Sequence, residues 1–84
     1  MLTPETLRAA RALLRWSRED LAEKSGVAAV TIKGFEILGA DSKNSTLNKL
    51  RRALEQAGVE FLYPDGVKGE GVRFRTQAPA RGRR

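Results

Sequence analysis

Between Arg18 and Ile37 the chain leaves itself little conformational freedom. Leu21 and Ala22 stand together, Gly26 follows Ala22 by four residues, Val27 is next, and Ile32 and Phe35 recur at helical spacing beyond it. A small residue at Ala22 lets two helices approach closely, and Gly26 tolerates the sharp turn between them. The pattern predicts two short crossed helices.

The flanking segments extend the same logic. Thr3-Pro4-Glu5 predicts a helix start, with Thr3 as N-cap, Pro4 at the first helical position and Glu5 at the positive end of the helix dipole. Leu7, Ala10, Leu13 and Leu14 continue that helix, over about residues 4–15. Ser17-Arg18-Glu19-Asp20 starts the next, about 18–25, with Asp20 placed to complete a capping box. Gly26 fits the left-handed position that ends it. In the third helix, about 28–38, Val27, Ile32 and Phe35, with Ile37 and Leu38 beyond, are read as an inward face, and the helix stops near Gly39. Asn44 or Ser45 is expected to cap a fourth, about 45–57, carrying Leu47, Leu50, Leu54 and Ala57 on one stripe.

After Gly58 the apolar period changes to alternation. Val59, Phe61 and Tyr63 share one face of a strand, and Val72 and Phe74 share a face of another, about 59–63 and 71–76, around the turn signals Pro64-Asp65-Gly66 and Gly69-Glu70-Gly71. A lone hairpin is marginal in water, so it must pack on the helices or pair with another chain. Arg73 and Arg75 fall on the outer face of the second strand, where blunting the sheet surface is the expected role.

The chain carries 84 residues, a net charge of +6 and no cysteine or histidine. Disulfides, thiolate or imidazole metal sites and Cys- or His-based triads are therefore excluded, and no cofactor is expected. The carboxylates Glu19, Asp20 and Glu23 fall in the first turns of a helix, where dipole compensation accounts for them, and nothing pairs them with a nucleophile. No enzymatic activity is expected. The N-terminal MLTPETLRAARALL has no basic stretch followed by an apolar core, and no run is long enough to span a bilayer, so a cytoplasmic, nucleoid-associated protein without a membrane partner is expected. Positive charge suits a polyanion. Half of the excess comes from Arg81, Arg83 and Arg84, in a basic tail over residues 77–84 that lacks apolar residues able to fold it. A core this modest makes self-association a natural source of stability.

The stretch RAARALLRWSREDLAEKSGVAAVTIKGFE resembles the phage-repressor and Cro-like helix-turn-helix regulators, the XRE family, and the likeness extends over about Leu2 to Ala57. ALEQAGVEFLYPDG followed by GVRF is similar to small bacterial members with a C-terminal hairpin. The resemblance implies a mainly α fold of four to five helices, with residues 1–76 forming a DNA-binding domain. It also implies that Arg18 to Ser25 supports a recognition helix, residues 28–38, lying in the major groove. The implied partner is double-stranded operator DNA, an inverted repeat bound by a homodimer. An arginine on the first helix pairs in this family with a glutamate late in the recognition helix; the matching positions are Arg11 and Glu36.

This chain departs from that pattern where bases are read. Ala28 replaces a capping Ser or Thr, at a cost of about 1 kcal/mol. Ala29 and Val30 cannot make bidentate hydrogen bonds to bases, although their methyl groups suit the 5-methyl of thymine. Gly34 takes the place of a long basic side chain and costs about 1 kcal/mol relative to alanine. Lys33 is left as the long donor of this helix. Ser17, Arg18, Thr31, Lys43 and Asn44 are candidates for phosphate contact, helped by the first N–H groups of the supporting helix. Trp16 is expected to pack against the first and last helices. Val59, Phe61, Val72 and Phe74 are the candidate dimer contact. The small, weakly polar face of Ala28, Ala29, Val30 and Gly34 also suits a competing function, a protein-interaction module acting as antiactivator or antitoxin.

Overall fold

A computed structural model describes residues 2–39 and 43–76. Four helices, α1 (Pro4–Leu14), α2 (Arg18–Ser25), α3 (Ala29–Leu38) and α4 (Asn44–Gln56), precede two strands, β1 (Val59–Leu62) and β2 (Gly71–Phe74). The domain is mainly helical with a small antiparallel hairpin. The basic tail and residues 40–42 lie outside the described residues.

Local chemistry explains most boundaries. Thr3 caps α1 in a box closed by Thr6, whose hydroxyl accepts from the Thr3 N–H. At α2 the box is Ser17 with Asp20: Ser17 Oγ accepts from the Asp20 N–H, and the Asp20 carboxylate accepts from the Ser17 N–H. Gly26 ends α2 at φ 78°, where glycine meets no Cβ penalty. By contrast α1 stops one residue short of the expected end, because Arg15 itself takes the left-handed conformation at φ 58° and turns the chain sharply into α2. Its N–H and that of Trp16 then close on the carbonyls of Ala12 and Arg11.

Two helix starts differ from expectation. Lys43, not Asn44 or Ser45, is the N-cap of α4, and its side chain makes no capping bond. Asn44 has helical backbone, so its amide cannot serve as the cap. Ala28 is likewise the uncapped N-cap of α3, which begins at Ala29.

The core is built where the helical stripes converge. Leu7, Ala10 and Leu14 of α1, Leu21 of α2, Ile32 and Phe35 of α3, and Leu50, Ala53 and Leu54 of α4 are buried together with Leu2, Val27, Val59 and Phe61. Trp16, Leu47, Ala57, Val72 and Phe74 pack around them, partly buried. The hairpin pairs Val59 with Phe74 and Phe61 with Val72, so its apolar residues fall on one face. That face closes on the chain's own helices. Val59 is 0% exposed and Phe61 7%. These two side chains therefore have no surface left for the dimer contact expected of them; a lone hairpin buries its apolar face on whatever core lies nearest. Val72 and Phe74 are half-buried. Tyr63 lies past the end of β1 and is exposed.

On the outer face of the hairpin Arg73 Nε lies 3.2 Å from Glu60 Oε1, its direct cross-strand neighbour. Arg75 has left the strand and its guanidinium donates to the Glu55 carbonyl. In the connecting loop, Asp65 Oδ1 accepts from the backbone N–H groups of Lys68 and Val67, which hold its carboxyl below the usual range. Thr3 Oγ1 donates to Glu70 Oε2, tying the loop to the start of α1.

Candidate nucleic-acid interface

α3 has an inner face and an outer one. Ile32, Phe35 and Glu36 point inward, and between them they reach α1 and α2. Opposite lie Val30, Lys33, Gly34, Ile37 and Leu38, which line a shallow, mostly apolar depression. Val30 is 75% exposed, Ile37 57% and Leu38 78%. The expectation that Ile37 and Leu38 turn inward is thus corrected. At about 100° per residue, Val30, Gly34 and Ile37 stack on one side of the helix while Ile32 and Phe35 stack on the other. α3 carries two apolar stripes, and only one is buried.

The inner face is locked by charge as well as by packing. Arg11 Nε and Nη2 donate to Glu36 Oε2 and Oε1 at 2.7 and 2.9 Å, a bidentate pair. Arg11 Nη1 also donates to the Trp16 carbonyl at 3.0 Å. Arg18 Nε donates to Glu36 Oε1 at 3.0 Å, and Arg8 Nη1 donates to the Glu36 backbone carbonyl at 2.7 Å. Three cations from α1 and α2 thereby grip the C-terminal half of α3. Burial pushes the Glu36 carboxyl up, but hydrogen bonds and charge from Arg11 and Arg18 outweigh it, and the carboxyl sits below its ordinary value.

This grip changes the role expected of Arg18. Its Nε is spent on Glu36, so the side chain is primarily part of the clamp. One carboxylate against Arg11 and Arg18 still leaves a surplus positive charge, and the Arg18 side chain remains 30% exposed.

The other candidates lie on α3 and at the starts of α2 and α4. Lys33 is exposed and makes no hydrogen bond or ion pair among the described residues. Thr31 is exposed on the flank and Ala29 is half-buried beside the helix start. Gly34 is open: a Cβ added there would meet nothing within 4 Å. Ser17 is engaged in its capping box, and Glu19 and Asp20 already place carboxylates on the first turn of α2, which weakens that terminus as a phosphate site. Lys43 and Asn44 are exposed at the start of α4. Sequence reasoning missed Arg8 and the aliphatic surface at Ile37 and Leu38; the 3.6-residue stacking of Val30, Gly34 and Ile37 is the signal that would have found the latter.

Because Ala28 has extended backbone and no capping partner, Ala28→Ser is expected to stabilise the domain by about 1 kcal/mol. Thermal melting should show a rise of several degrees.

No helix among the described residues is long and apolar enough to cross a membrane, and no cluster of three or more acidic or other ligating side chains among them is arranged to hold a metal ion. No protein-family model matches the chain, and no characterised protein gives a significant match to it.

Proposed function

We propose that the chain is a sequence-specific DNA-binding transcriptional regulator, a phage-repressor-like helix-turn-helix domain that acts on operator DNA as a homodimer. The observation that carries this reading is the posture of α3. Its inner face is fixed by Ile32, Phe35 and the Arg8, Arg11 and Arg18 grip on Glu36, while its outer face is exposed and carries Lys33, which has no partner among the described residues. A helix held from behind and exposed in front, on a chain of net charge +6, suits insertion into a major groove. Two such domains engaging half-sites one helical turn apart would multiply the weak specificity of each. With Val59 and Phe61 buried, a hairpin-mediated dimer would rely on the open strand edges of β1 and β2 and on Val72 and Phe74. Action at operator DNA implies a cytoplasmic, nucleoid-associated location.

A second reading, a protein-interaction module of antiactivator or antitoxin type, is favoured by the exposure of Val30, Ile37 and Leu38. Selection of bound duplexes from a randomised library at about 0.15 M salt, where exposed charge attraction is already screened, separates the two. The regulator reading expects two related half-sites about 10 to 10.5 base pairs apart. Recovery of no preferred sequence would turn the assignment to the protein-interaction reading. With a site in hand, Lys33→Ala should change base preference, whereas Arg18→Ala should lower affinity evenly across sequences; if neither moves binding, these roles are wrong.

A further inference from the structure

The outer face of α3 offers one hydrogen-bonding side chain, Lys33, among Val30, Gly34, Ile37 and Leu38. We propose that this aliphatic face reads the 5-methyl group of pyrimidines in the major groove, thymine first and 5-methylcytosine in the same way. The inference rests on the DNA-binding reading and specifies what that reading recognises. Among the base edges of the major groove, donors and acceptors dominate, and the C5 methyl is the apolar feature. Val30 and Ile37 can satisfy none of those donors or acceptors, so pairs presenting a methyl are the ones they can cover without leaving polar edges dry. Along the helix the two residues are separated by seven positions, about 10.5 Å at 1.5 Å per residue. That distance matches roughly three steps of a DNA strand at 3.4 Å each, so the methyls read are expected about three steps apart. Gly34, between them and with open space where a Cβ would stand, lets the helix backbone sit low over the intervening pairs.

Charge selects DNA over a second copy as the occupant of this face. Lys33 lies within it and has no partner among the described residues, so two such faces packed together would bring two lysines and two chains of +6 into contact. A duplex meets the same lysine with acceptors on bases and phosphates.

The test uses the full chain and a duplex recovered by the selection above. Thymines under α3 are replaced one at a time by deoxyuridine, which lacks only the methyl, and cytosines under α3 are replaced by 5-methylcytosine. Burial of one methyl corresponds to about a fourfold change in affinity. The expected result is a loss of about that size for deoxyuridine at two positions, a comparable gain for 5-methylcytosine, and no effect outside the α3 footprint. Val30→Ala and Ile37→Ala, both at exposed positions, should each abolish the sensitivity at one position, which a double-mutant cycle reads directly. A selected duplex indifferent to deoxyuridine at every thymine would overturn methyl reading while leaving the regulator assignment intact. Sensitivity that persists in both alanine variants would assign the effect to duplex shape and overturn it equally. Failure to recover any preferred duplex would remove the DNA-binding reading and this inference with it, in favour of a protein partner on the same face.

Discussion

Glu36→Ala is expected to destabilise the domain by roughly 3 to 5 kcal/mol, the cost of stripping one partner from a buried ion pair. The Glu36 side chain is 0% exposed, and its carboxylate takes three guanidinium N–H bonds, two from Arg11 and one from Arg18. Without it Arg18, the more exposed of the two, can swing to solvent, whereas Arg11, at 17%, is left with a positive charge facing the helix junction. A chain of 84 residues has a total stability on the order of 4 to 12 kcal/mol at the usual 0.05 to 0.15 kcal/mol per residue. A loss of that size is roughly a quarter or more of the total, so the variant should melt well below the parent. Urea titration measures the loss, and Glu36→Gln, which keeps an acceptor oxygen and the shape, should fall between the two. A variant within 1 kcal/mol of the parent would show that packing alone holds α3.

The same carboxylate sets an acid limit. Its folded pKa lies below the ordinary 4.5, so its contribution to stability is complete above that value and is lost as pH falls through the folded pKa. Parent and Glu36→Gln should differ most near neutral pH and converge in acid.

Val30→Glu is expected to weaken binding to the selected operator by at least about a hundredfold, because a like charge set against a phosphate-lined groove costs several kcal/mol. Val30 is 75% exposed and lies outside the buried core cluster, and glutamate is a good helix former. Circular dichroism and the melting temperature should stay close to those of the parent while DNA affinity, measured by fluorescence anisotropy, collapses. Undiminished binding would place the DNA on another face. Ile37→Glu, two turns along, gives an independent reading on the same stripe.

Much of this fold is decided within a few residues along the chain. Thr3, the Ser17 and Asp20 box, Gly26, Gly39 and the change of apolar period after Gly58 each act through contacts inside one turn or between adjacent positions, so the helices and hairpin are legible in the sequence to within a residue or two. Arg15 and Lys43 are the exceptions. A left-handed arginine and an uncapped lysine are poor local choices, imposed by where the chain must turn and enter the next helix.

What the tertiary structure alone decided is which surfaces face which. α3 carries two apolar stripes, and helical periodicity detects both without saying which is buried; packing on α1 and α2 chose Ile32 and Phe35 and left Val30, Ile37 and Leu38 outside. Alternation likewise found the apolar face of the hairpin but not its cover, which at Val59 and Phe61 is the chain's own core. Arg18 has suitable chemistry for phosphate, yet its Nε is held by Glu36, 18 residues away. Local backbone and capping preferences are written into neighbouring residues, whereas the burial of a face and the partner of a charge depend on what the rest of the chain brings beside it.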